Sequence, residues 1–160
     1  MNRDEIHEAI SDFLALLNGG KEDAEAREAA LIFALDRLAL TYHYARCKFD
    51  KTDYPDAPRK DYQELRKVVS ALFPEYGYYN VAARISVEIS EGGLHIGDAI
   101  DDITDIAIDM YEVFWLWENT SVDNALWEFR QGYENHWGMH LRCLQLYVLA
   151  NSRDAWERAI

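Results

Sequence analysis

Two groups of side chains in this sequence could carry chemistry. The first is Asp102, Asp105 and Asp109, inside the run Asp98-Ala-Ile-Asp-Asp-Ile-Thr-Asp-Ile-Ala-Ile-Asp109. Neither Gly nor Pro interrupts that run or its continuation to Glu118, so it reads as one long helix. At about 100° per residue, Asp98, Asp102, Asp105 and Asp109 share a stripe about 60° wide. Carboxylates at i,i+3 and i,i+4 repel one another, so such a row invites a cation. The second group is His136 and His140, in His136-Trp-Gly-Met-His140. On a continuous helix these imidazoles lie one turn apart on the face that also carries Phe129, Tyr133, Leu144 and Tyr147. Both histidines are therefore expected to point inward, and an H-x3-H pair on a helix can bind a divalent metal.

Together the two groups make a mixed site across an antiparallel helix pair, with Asp102, Asp105, Asp109, His136 and His140 as candidate ligands. Oxygen donors suit Mg²⁺ or Mn²⁺, while imidazoles shift the preference toward Mn²⁺, Fe²⁺ or Zn²⁺. A metal held there could activate water for hydrolysis of a phosphate ester or a nucleotide pyrophosphate. The zinc-protease motif fails, because Trp137 stands where its Glu is needed. Glu134 is not at the Glu-x-x-His spacing of carboxylate di-iron bundles. Against any site stands a geometric argument. Ile103, Ile106, Ala107, Met110, Phe114 and Trp117 gather roughly opposite the acidic stripe, which would aim the aspartates at water and keep the two groups apart. Histidines on an apolar face are more often core residues bonded to a carboxylate or carbonyl. A row of aspartates is more often a solvated face.

Composition weighs toward binding rather than catalysis. The chain has 160 residues, 49% apolar and 13% aromatic, which suits one domain with a genuine core. Its formal net charge of -13 argues against holding a nucleic-acid backbone and favours cationic partners, either metal ions or basic proteins. The leading expectation is a small acidic protein-binding module without enzymatic activity, of the immunity type that would neutralise a basic toxin. The alternative is the divalent-metal-dependent hydrolase. Trp115, on the flank of the long helix, is a candidate contact for a homodimer. No signal peptide opens the chain, and no apolar run is long enough to cross a bilayer. Cys47 and Cys143 form no CxxC pair and no basic motif flanks them, so inert thiols in a reducing cytoplasm are expected. Gly92-Gly93 lacks the Lys-Ser/Thr of a phosphate loop.

These side chains need a scaffold, and the spacing of apolar residues predicts an all-α one. A first helix is expected from about Asn2 to Leu17, with Asn2 and Glu5 as a capping box and Asn18-Gly19-Gly20 as its stop. A second spans about Glu22 to Lys48, and Pro55 and Pro58 then impose a loop. A third runs from about Lys60 to Phe73 and ends at Pro74. Arg59, Lys60, Arg66 and Lys67 form a basic cluster there that could neutralise the acidic helix. Residues 75–97 read as a packed irregular crossover. Ile85, Val87 and Ile89 alternate as in a strand, but one strand has no sheet to join. Asp98 stands at the N-cap of the acidic fourth helix. A fifth helix covers about Asp123 to Asn151 with Gly138 inside it, where a missing side chain permits close backbone approach. A short tail helix, Arg153 to Ile160, follows. The sum is a single-domain bundle of four to five main helices with one long crossover.

The pieces Asp101-Asp-Ile-Thr-Asp-Ile-Ala-Ile-Asp109 and His136-Trp-Gly-Met-His140 resemble a bacterial family. Asp61-Tyr-Gln-Glu-Leu-Arg66 and Phe73-Pro-Glu-Tyr-Gly-Tyr-Tyr79 share the likeness. It is domain-of-unknown-function family 5063, and the likeness spans about Asp4 to Ala150. It implies an all-helical protein and brings no activity with it. Ile103 and Ala107 stand where that family often carries Leu and Tyr, a conservative difference for packing. The spacing Asp102-x-x-Asp105-x-x-x-Asp109 is also similar to one motif of the all-α nucleoside-triphosphate pyrophosphatases, although their preceding Glu-x-x-Glu helix is not evident here.

Overall fold

Asn2 opens the first helix as its spacing from Glu5 implies. The computed structural model describes residues 1–19 and 23–158, and for 152–158 the backbone alone. In it the Asn2 side chain accepts from the Glu5 N–H, and the Glu5 carboxylate accepts from the Asn2 N–H. Helix α1 then runs over Arg3–Leu17. Helix α2 covers Ala24–Tyr44 behind an Asp23 cap, so the expected start at Glu22 and the Gly20 stop fall outside the described residues. It ends four residues before Lys48, where the Ala45 N–H turns back to the carbonyls of Thr41 and Tyr42. Helix α3, Tyr62–Leu72, is capped by Asp61, whose carboxylate accepts from the Glu64 N–H.

The stretch expected to be an irregular crossover is instead a β-hairpin. Strand β1, Tyr78–Ala82, pairs antiparallel with β2, Leu94–Asp98, placing Tyr79 opposite Gly97 and Val81 opposite His95. The missing partner strand was the glycine-bracketed Leu94-His-Ile, too short to show a period of its own. Ile85, Val87 and Ile89, whose alternation suggested a strand, lie in the connection and are 92, 96 and 95% exposed. Their alternation does not mark a buried face.

Strand β2 leads directly into helix α4, Ala99–Asn119. Asp98 caps it, accepting from the N–H groups of Ile100 and Asp101. This helix packs against α1, α3 and the two helices that follow it, α5 over Val122–Asn135 and α6 over Trp137–Arg158. Ile103, Ile106, Ala107 and Met110 are fully buried, each large one contributing about 1.5–3 kcal/mol of burial. With neighbours on several sides, α4 also buries the polar side chains of Asp102 and Thr104.

The expected fifth helix is thus two. At His136 the backbone departs from helical geometry, with φ -147° and ψ -89°. Gly138 permits the joint, since a Cβ there would lie 2.2 Å from the Tyr133 carbonyl oxygen. The close approach read from that glycine is to its own chain one turn back. The expected tail helix is a continuation of α6 up to Arg158, with 159–160 outside the described residues. Among the described residues the molecule is therefore mostly helical, with six helices and one two-stranded sheet.

Candidate metal centre

The aspartates of α4 and the histidines at the α5–α6 joint meet. Asp102 sits on the side of α4 that α6 covers, and its side chain is 8% exposed. Its Oδ1 lies 2.8 Å from His140 Nδ1. Two turns further along α4, Asp109 Oδ2 lies 2.8 Å from His136 Nδ1. Each carboxylate can only accept, so each imidazole donates from Nδ1 and keeps Nε2 for something else. Asp105 stands between the two pairs, its Oδ2 3.6 Å from His140 Nε2. The two imidazole rings face each other edge-on, with centroids 5.1 Å apart. One donor atom each from Asp105, His136 and His140 falls within 4.8 Å of the others.

The break at His136 makes this arrangement. The pair does not share one turn of a continuous helix. His136 ends α5, and His140 lies in the first turn of α6. Trp137, fully buried between them, anchors the joint by packing on Phe129 and Tyr133 and donating from Nε1 to the Phe129 carbonyl. Gly132 leaves room for it: a Cβ there would lie 2.7 Å from the Trp137 ring and 3.5 Å from Asp109 Oδ2. The geometric argument that the aspartates face water does not hold for Asp102, and Asp105 and Asp109 are only about one-fifth exposed. A helix surrounded by neighbours has no single apolar face opposite a single wet one.

Behind the histidines lies a second layer. Tyr79 donates its hydroxyl to Asp102 Oδ2, so that carboxylate is held at both oxygens. The Tyr79 ring lies across Gly97, where a Cβ would come within 2.4 Å of it. Burial, then the bond to Asp102, pushes the Tyr79 phenol well above its usual range, so it remains a donor. The residues alone gave Tyr79 no part in the site; it stood out only as the end of the Phe73–Tyr79 piece that shares the family likeness. Arg66 on α3 bridges Asp98 at 2.5 Å and Asp101 at 3.3 Å, the neutralising contact expected of the basic cluster.

The electrostatics follow from this packing. The bond to Asp102 raises the His140 pKa despite opposing burial, with Asp105 adding to it. Burial raises the Asp105 carboxyl, while His140 pulls it the other way. Cys143, one turn beyond His140 on α6, is raised mainly by burial and remains a free thiol, as does Cys47. Chemically, the trio offers two imidazole nitrogens and one carboxylate oxygen at the edge of the fold, a donor set suited to Zn²⁺, Mn²⁺ or Fe²⁺. Asp102 and Asp109 each contact a histidine Nδ1, and the clustered donor atoms are those of Asp105, His136 and His140.

A family model described as Domain of unknown function (DUF5063) matches residues 4–147. A comparison with curated proteins found no match. The crystal structure of protein BF1032 from Bacteroides fragilis, a structural-genomics target, aligns with a TM-score of 0.63. The alignment covers 91% of this chain and 88% of that one at 18% identity, a likeness of fold alone. No helix among the described residues is long and apolar enough to cross a membrane.

Proposed function

This chain belongs to the DUF5063 family, and we propose that it is a divalent-metal-dependent hydrolase whose ion sits between Asp105, His136 and His140. One observation carries the reading: both histidines are tied through Nδ1 to separate aspartates, and donor atoms of the two histidines and Asp105 lie within 4.8 Å of one another. Carboxylate–imidazole pairs of this kind orient metal-binding histidines and raise their basicity. Three protein donors leave coordination positions for water and for a substrate oxygen. An ion bound so lowers the pKa of its water toward neutrality and polarises the bond to be cleaved. Two imidazoles in the set favour Zn²⁺ or Mn²⁺ over Mg²⁺.

The test is metal content and affinity. Protein dialysed against Zn²⁺ or Mn²⁺ is expected to retain about one ion per chain, and His140→Ala and Asp105→Asn are expected to lose it. Hydrolysis of 4-nitrophenyl acetate should then appear in loaded protein and vanish with chelator. Wild-type protein that retains no ion at micromolar concentration sinks the reading.

A second reading is the partner-binding module, with a basic protein as partner. The observation that favours it is the hairpin connection, where Ile85, Val87 and Ile89 are exposed beside Glu88 and Glu91. Apolar anchors next to Glu88, with Glu91 already paired to Arg84, suit a partner that is hydrophobic with some basic character. Capture that weakens as salt rises, and is lost in Val87→Asp, supports that reading.

A further inference from the structure

The proposed ion site lies against a wall of carboxylates, and the wall extends well beyond the donors. On α4, Asp101 precedes Asp105 by one turn, and its charge reaches both Asp105 and His140. Asp109 follows by one turn. Glu112 comes next, and the charges of Asp109 and of Glu128 on α5 act on it. Burial and those two carboxylates hold Glu112 above the usual carboxylate range. Among the described residues, the cations nearby have partners of their own, Lys60 lying over the Tyr111 ring of α4. Arg66 is shared between Asp98 and Asp101. Arg59 acts on Glu112, which Asp56 opposes. Arg142 on α6 turns to the Tyr133 hydroxyl and Gln145. A dication at the trio therefore leaves its surroundings negative.

This inference rests on the metal-site reading above and names what that site accepts. We infer that the site selects cationic substrates, molecules bearing an ammonium or guanidinium group near the bond to be cleaved, and disfavours phosphates. The ion supplies the attachment point for a substrate oxygen. The row formed by Asp101, Asp109, Glu112 and Glu128 supplies a potential that attracts a positive tail and repels a negative one. Charges at the protein surface a few ångströms apart interact strongly enough to separate otherwise identical ligands by about tenfold or more. The phosphate-ester and nucleotide chemistry expected of a metal-bearing bundle is the version this charge pattern opposes.

Three hydroxamates of equal length, ending in an ammonium, a methyl or a carboxylate group, provide the test. All three carry the same metal-chelating head, so only the tail differs. Protein loaded with Co²⁺ is titrated with each while its visible absorption is followed. The ammonium compound is expected to bind about tenfold or more tightly than the carboxylate one at low salt. The gap should close to about threefold or less in 1 M salt, where screening is nearly complete. Glu112→Gln is expected to shrink the gap at low salt while metal content stays unchanged. Equal affinities, or tighter binding of the carboxylate compound, overturn the inference and leave the metal site standing. A Co²⁺ spectrum that no hydroxamate alters, or no Co²⁺ binding at all, removes the metal-site reading and this inference with it.

Discussion

Tyr79 and Asp102, 23 positions apart, share a hydrogen bond in which the phenol donates to a buried carboxylate whose other oxygen holds His140. A side chain of α4 therefore links the hairpin to His140, beside the direct ring contact of Tyr79 with Tyr147 of α6. Tyr79→Phe removes the donor and keeps the ring against Gly97. A buried acceptor left unsatisfied costs about 1–3 kcal/mol. Loss of such an outer contact typically weakens a metal site by about 10–100-fold. We expect the variant to fold, melt somewhat earlier, and bind Zn²⁺ at least tenfold more weakly in a chelator competition. Unchanged affinity would separate the hairpin from the site.

The two histidines should behave alike toward metal and differently toward folding. His136 is half-exposed, so His136→Ala is expected to change stability by no more than about 0.5–1 kcal/mol. His140 pairs with Asp102, which is almost wholly buried, and His140→Ala is expected to cost about 2–4 kcal/mol. Urea unfolding of the metal-free variants measures the first contrast, and Zn²⁺ titration checks that both lose the ion. Equal stability losses would contradict the burial difference.

The pH response has a definite sign. His140 is raised above its usual range, chiefly by the bond to Asp102. Its contribution to metal-free stability is therefore fully present below about pH 6.5, the unfolded value, and is lost as pH climbs through the raised folded one. Metal binding needs the Nε2 lone pair, so affinity should move the other way and strengthen over the same interval. Thermal melts from pH 5.5 to 8.5, with and without Zn²⁺, should show the opposed slopes, and His140→Gln should flatten the metal-free one. A metal-free curve that His140→Gln leaves unchanged would contradict the assignment.

Gly138→Ala tests the joint itself. Its Cβ would collide with the Tyr133 carbonyl at 2.2 Å, and backbone cannot yield as a side chain can. Overpacking of this kind costs about 1–3 kcal/mol. For a chain of this size that is roughly 2–12 °C in Tm. We expect the melting loss together with weaker Zn²⁺ binding, because displacing the joint moves His136 against His140. Retained Tm and retained affinity would show that the joint tolerates a side chain.

Helices with strong local signals were visible from the residues alone. The Asn2–Glu5 capping box, the Asp98 cap and the buried row Ile103, Ile106, Ala107, Met110 are local or periodic features, and each stands where spacing places it. The family, too, was carried by the runs around Asp102 and His136, and its model matches residues 4–147. The hairpin was not visible. Pairing of Tyr79 with Gly97 is a contact between two five-residue strands, and neither carries a period long enough to announce itself. The break at His136 was hidden by the helical pattern on both sides, with Gly138 as its one trace.

The sequence by itself determined which side chains could do chemistry and the helices that carry most of them, because caps and apolar periods act over a few residues. Only the tertiary structure decided that Asp102 turns inward and that donor atoms of Asp105, His136 and His140 come within 4.8 Å of one another. The physical reason is that a side chain's direction depends on every neighbour of its helix. Helix α4 is packed by α1, α3, α5 and α6, so its acidic stripe faces protein as well as water. No periodicity within one segment encodes the number of segments that will surround it.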